Sequence, residues 1–196
     1  MPSAGETRPE GDMPMLSAFR RRKLAAGFNE LDVDGDGRVG YGDIEVLIKN
    51  HCRAYGYAQG TPEYEALARG TRAVWEQLMQ FDSDGDGEVS LEEYVAGFAA
   101  FLDQRDVFMD SMDVLVDAFY ALADRDGDGR VTEEELIMHF RAWNHSEDQA
   151  REAFQRLDRN GHGAISKEEW MANLEEFYYS EDPQAPGTWL APLPPA

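Results

Sequence analysis

The chain of 196 residues carries 39 acidic against 18 basic side chains, a net charge of −21. Such a surface repels nucleic-acid phosphates and anionic membrane faces, which leaves a cation as the natural counter-ligand. The 42% of hydrophobic residues is enough to build a core, in one large domain or two small lobes.

Residues 1–14, rich in Pro, Gly and charge, are expected to form a loose, flexible tail. They lack an apolar stretch followed by a small-residue cleavage site, and no run in the chain approaches the ~20 apolar residues of a membrane span. A cytoplasmic location is expected, and the lone Cys52 is read as a buried, inert thiol. From residue 15 onward one pattern repeats: an amphipathic helix, an acidic glycine-bearing loop, another helix. Leu24, Phe28 and Leu31 form one helix face ahead of a loop at 32–43. Gly40 and Asp43 make a weak start for the helix that follows. A break at Gly60, Thr61 and Pro62 comes next, with Thr61 as cap and Pro62 in the first helical position. Trp75, Leu78 and Phe81 then lead into a loop at 82–93, which a capping box of Ser90 and Glu93 closes. These elements define a first paired unit, residues 15–103.

The second unit, residues 104–179, has Phe119, Leu122 and Ala123 ahead of a loop at 124–135, with Thr132 and Glu135 as the capping box. Ser146 with Gln149 opens a short helix whose Phe154 and Leu157 precede a loop at 158–169, followed by the box Ser166 and Glu169. Residues 180–196 contain five prolines and cannot be helical throughout. The fold class expected is all-α: eight main helices and almost no strand apart from short bridges between paired loops.

The loops carry the chemistry. A calcium ion takes six to eight hard oxygens, and a twelve-residue loop supplies them from positions 1, 3, 5, 7, 9 and 12, the seventh through its carbonyl. The second loop offers Asp82, Asp84, Asp86, the Glu88 carbonyl, Ser90 and Glu93; the third offers Asp124, Asp126, Asp128, the Arg130 carbonyl, Thr132 and Glu135. Oxygen at alternate positions, a glycine at the bend and a terminal glutamate are specific to this chemistry. The first loop has Asp32, Asp34, Asp36 and the Arg38 carbonyl, but Gly40 gives no side chain at position 9 and Asp43 stands where glutamate reaches best. Water is expected to fill the ninth place, and the shorter Asp43 to coordinate through one oxygen, which favours Mg²⁺ relative to Ca²⁺. The fourth loop keeps Asp158 and Glu169 but has neutral Asn160 and, at position 5, His162, a poor ligand for a hard cation. It is expected to be weak or vacant. Four carboxylates in each of the first three loops and two in the fourth make fourteen at ligand positions. Their mutual repulsion without metal is roughly 1–4 kcal/mol per close pair. Position 8 is apolar throughout (Val39, Val89, Val131, Ile165), which predicts antiparallel bridging of loop one with two and of loop three with four.

Four such loops at uneven spacing, starting 50, 42 and 34 residues apart, precede an ending with Asp182, Pro183, Ala185, Pro186, Gly187, Trp189 and Leu190. The whole resembles the calerythrin and sarcoplasmic calcium-binding proteins of the EF-hand class. The resemblance implies two paired-hand lobes packed into one compact globule, and a cytosolic calcium buffer; a monomer is expected. Calcium binding at the fourth loop is not part of what it implies. A calcium sensor that exposes an apolar groove to a protein target remains the rival, with Met79, Met109, Met112, Met138 and Met171 read first as core filler. Trp189 and Leu190 are expected to plug the protein's own groove, which favours the buffer. A third alternative is a coelenterazine-type ligand-binding protein, with Trp75, Trp143, Trp170, Tyr120, Tyr178 and His139 around a pocket; core packing is the simpler account of these six. Scattered histidines (51, 139, 145 and 162) and the lack of nucleophile or phosphate-loop motifs speak against an enzyme.

Overall fold

Residues 16–193 are described by a computed structural model, except for the side chains of 113–115, 118 and 119. The N-terminal tail expected over 1–14 and the packing expected of Phe119 lie outside the described residues. Eight α-helices follow in chain order: α1 (Ala18–Leu31), α2 (Tyr41–Tyr55), α3 (Pro62–Leu78), α4 (Leu91–Leu102), α5 (Arg105–Ala123), α6 (Glu133–Ala142), α7 (Glu147–Leu157) and α8 (Lys167–Tyr179). One two-residue strand lies between the two helices of each hand: β1 (Arg38–Val39), β2 (Val89–Ser90), β3 (Arg130–Val131) and β4 (Ile165–Ser166).

The helix starts follow from side-chain oxygens that serve otherwise orphaned amides. In the boxes at Ser90, Thr132, Ser146 and Ser166 the cap hydroxyl accepts from the amide three residues on, and that residue's side chain accepts from the cap amide. Gly40 has no hydroxyl, so α2 gets only half of this arrangement: Asp43 Oδ2 accepts from Gly40 N at 2.8 Å. Thr61 Oγ1 accepts from Tyr64 N at 3.3 Å, with Pro62 in the first turn of α3. α2 stops at Gly56, whose φ of +73° suits glycine and lets Tyr57 N reach back to Cys52 O at 2.8 Å.

One helix departs from expectation. α1, α5 and α7 run to the residue before their loops, but α3 ends at Leu78. Residues 79–81 turn more tightly, with Gln80 N on Gln77 O and Phe81 N on Leu78 O at 3.2 and 2.8 Å. Phe81 therefore leaves the helical face that sequence spacing assigns it, and its ring lies against Gly97, where a Cβ would come within 2.3 Å of it.

The strands pair antiparallel, with Arg38 opposite Ser90 and Val39 opposite Val89, and Arg130 opposite Ser166 and Val131 opposite Ile165. All four position-8 side chains are fully buried. Two apolar clusters form the core, and Phe108 and Met112 of α5 belong to the first. The first gathers Phe28, Ile44, Leu47, Val95 and Phe98, and the second Val116, Leu136, Phe140, Phe154 and Trp170.

The clusters abut because α2 packs on α6, α1 on α8, and α5 against α3, α4 and α8. Polar bonds fasten the seam. Tyr55 OH lies 3.0 Å from His139 Nδ1, and His145 Nε2 lies 2.8 Å from Glu30. Arg20 Nε donates to Tyr178 O at 3.0 Å. Lys23, only 1% exposed, donates to Ser180 O at 2.7 Å and Glu176 O at 3.2 Å. It thereby caps the carbonyl end of α8, where a cation is favoured. Beyond α8, a 3₁₀ turn (Pro186–Trp189) folds back on α7 and α8. Gly187 N donates to Glu176 Oε2 at 3.1 Å, and Trp189 and Leu190 pack on the second cluster.

Candidate metal centres

Each loop is organised by its first aspartate. Asp32 Oδ1 accepts from Gly35 N at 2.9 Å and Asp36 N at 3.1 Å, while Oδ2 accepts from Gly37 N at 2.9 Å. Asp82 takes the Gly85 and Gly87 amides, Asp124 those of Gly127, Asp128 and Gly129, and Asp158 those of His162 and Gly163. The loop backbone is thus wound around one carboxylate. The sixth residue has φ between +82° and +88° in all four loops, which is why glycine stands there.

The terminal acid closes the ring. Glu93 accepts from Ser83 N and Ser90 N, both at 2.9 Å, and Glu135 from Arg125 N and Thr132 N at the same distance. The Ser90 and Ser83 amides, aided by their hydroxyls, hold the Glu93 carboxyl down to about 2, so it is anionic across the physiological range. In loop two the carboxylates of Asp82, Asp84 and Glu93 bring oxygens within 4.8 Å of one another, and in loop three those of Asp124, Asp126 and Glu135 do the same.

Loop one differs at its end. Its converging carboxylates are Asp32, Asp34 and Asp36. Asp43, one methylene shorter than glutamate, is held by Val33 N at 3.0 Å and Gly40 N at 2.8 Å. The Arg38 guanidinium crosses to loop two, where it pairs with Asp86 and lies 3.5 Å from Glu88 Oε2. From sequence, Arg38 and Glu88 are expected to offer only their carbonyls. The register of the bridge is the signal that brings their side chains into view.

Loop four forms no group of three acidic or histidine ligands among the described residues. Asn160 Nδ2 donates to Glu169 Oε1 at 2.7 Å, which engages an oxygen of the terminal acid. Arg159, its second residue, is turned away onto Asn173 Oδ1 at 2.8 Å and Glu176 at 2.7 Å. The donor sets of the first three loops are all hard oxygen, which suits Ca²⁺ and, with fewer ligands, Mg²⁺. They hold no soft ligand for a transition metal.

A cavity of about 830 Å³ lies between the lobes. Trp143, Trp170, Tyr178 and His139 line it, and they are four of the six residues read from sequence as core filler. Trp170 and Tyr120 are also buried members of the second apolar cluster, and Trp75, Trp143 and Tyr178 pack on the first, so lining the cavity and packing in the core go together. The volume stays open because small residues, Gly27, Ala73, Gly97, Ala100 and Ala191, stand on its walls.

A family model described as an EF-hand domain pair matches residues 21–99, and one described as an EF hand matches 115–140 and 150–174. The probable calcium-binding protein CML25 of Arabidopsis thaliana is 29% identical over 130 residues, 64% of this chain and 60% of that protein's length. Calerythrin of Saccharopolyspora erythraea is 24% identical over 146 residues, 73% of this chain and 82% of the relative. Among solved structures, a Streptomyces coelicolor calcium-binding protein described in prokaryotic calcium-mediated regulation is 30% identical, with a TM-score of 0.68 over 81% of this chain and 97% of that one. The amphioxus sarcoplasmic calcium-binding protein shares the fold at 18% identity, with a TM-score of 0.71 over 92% and 100%.

Proposed function

The chain belongs to the EF-hand calcium-binding proteins, of the type that calerythrin and the sarcoplasmic proteins represent, and from that premise we propose that it is a cytosolic calcium buffer. Asp32, Asp34, Asp36 and Asp43 with the Arg38 carbonyl would hold one ion. Asp82, Asp84, Asp86, Ser90 and Glu93 with the Glu88 carbonyl would hold a second, and Asp124, Asp126, Asp128, Thr132 and Glu135 with the Arg130 carbonyl a third. Loop one is the site most open to Mg²⁺. Loop four is a structural hand, its Glu169 engaged by Asn160.

One observation carries the buffer over the sensor. Around the interlobe cavity the apolar faces of the two pairs meet, α2 on α6 and α1 on α8, and the segment after α8 lies on α7 and α8. A sensor must open an apolar groove to a partner. Calorimetric titration should give three calcium ions per chain, with competition by Mg²⁺ chiefly at one site. An apolar-surface dye should brighten little on calcium addition. A large dye response, or a specific partner released by chelator, would instead favour the sensor. No enzymatic step belongs to this reading.

The interlobe cavity favours a second reading, a carrier of an apolar aromatic ligand of the coelenterazine kind. Trp143 and Trp170 face that space, so bound coelenterazine should quench their fluorescence saturably. Unchanged emission at saturating ligand would remove the reading.

A further inference from the structure

We propose that the side chain of Glu88, a residue of loop two, completes the first metal site across the β bridge. The inference rests on the calcium reading and deepens it. Continuing the bridge register by one residue sets Gly40 opposite Glu88 in the first pair and Thr132 opposite Ala164 in the second. Position 9 is therefore always opposite position 7 of the neighbouring loop. Three of the four ninth positions carry their own hydroxyl (Ser90, Thr132 and Ser166), and they face Arg38, Ala164 and Arg130. Only the ninth position without a side chain, Gly40, faces a carboxylate.

The geometry matches that pattern. At the point where a Cβ on residue 40 would sit, Glu88 Oε1 is 3.4 Å away and Asp43 Oδ2 is 3.8 Å away. The carboxylate of the neighbouring loop thus enters the notch that the missing side chain leaves, beside the terminal acid of loop one. Arg38 aims it there: its guanidinium lies 3.5 Å from the other oxygen, Oε2. Loop one also has the greater need, since its terminal Asp43 is one methylene shorter than Glu93 and Glu135. Glu88 lends this site a fifth negative charge and an oxygen, direct or through water, while its carbonyl serves loop two. A ligand shared in this way ties occupancy of the first site to the position of the second loop.

The test follows the amide of Gly37, which donates to Asp32 Oδ2, by NMR during calcium titration of the full chain. Glu88→Gln should raise the calcium level at half-change of Gly37 about tenfold, with the Gly129 amide of loop three unchanged. Glu92→Gln removes an equal charge from an exposed site on the same loop and should shift Gly37 by about twofold or less. Adding Gly40→Ser to Glu88→Gln should recover part of the loss, because the hydroxyl then stands where the other loops have one. Equal effects of Glu88→Gln and Glu92→Gln, or no effect of Glu88→Gln, would overturn the proposal. Amides that ignore calcium in the wild type would sink the calcium reading itself.

Discussion

His139 is a base buried with a neutral partner. It sits beside Tyr55 OH and the Trp170 ring, and burial pushes its pKa down to about 3 from 6.5, with His51 and His145 adding to the effect. The folded chain refuses a proton that the unfolded chain accepts between those values. Stability is therefore intact above pH 6.5 and is lost as pH falls towards 3, by at most ~1.4 kcal/mol per pH unit. His139→Phe loses the Tyr55 bond at every pH but is relieved of this proton linkage. Urea midpoints at pH 7 and pH 5 should fall less for His139→Phe than for wild type; an equal fall would show that His139 takes no part in acid sensitivity. Lys23 meets the opposite setting, with carbonyl oxygens as partners. Burial still lowers it to about 8 from 10.5, partly offset by Glu181. Its contribution therefore rises with pH between those values, as the folded form sheds its proton first.

Among the elements, what was legible from sequence is local and what was hidden is tertiary. Capping boxes at Ser90, Thr132, Ser146 and Ser166 fix four helix starts within three residues of chain, so the sequence states them directly. The loop ligands follow the same logic of short spacing. The early stop of α3 does not, because it accompanies the seating of Phe81 on a glycine in another helix. Nor does the role of Glu88, which appears only once two loops 50 residues apart are set in register. The cavity is likewise invisible locally, since aromatic residues at helical spacing read the same whether the space between them is filled or open. The Phe81–Gly97 contact gives a direct test. Gly97→Ala pushes a methyl group into the Phe81 ring and should destabilise by about 1–3 kcal/mol in urea unfolding. Adding Phe81→Leu should return part of that loss, and no recovery would mean the two residues do not share the strain.

At the scale of the molecule, charge and packing have separate jobs. The carboxylates at ligand positions lie in the loops, while α2 on α6 and α1 on α8 carry the seam between lobes. Lys23, Arg20 and the turn around Gly187 hold that seam at α8. Mass action then makes ligand and fold support each other, since any cation that binds only the folded loops stabilises the whole chain.

The clasp between α1 and α8 also bears on how the protein is born. The carbonyl partners of Lys23 lie 153 and 157 residues further along the chain. A nascent polypeptide emerging from the ribosome has its first hand long before those oxygens exist. Until α8 is translated, the ammonium lacks those two oxygens, whereas Phe28 on the same helix already has the Tyr94 ring of α4 beside it. The clasp is thus a bond that only the nearly finished chain can make.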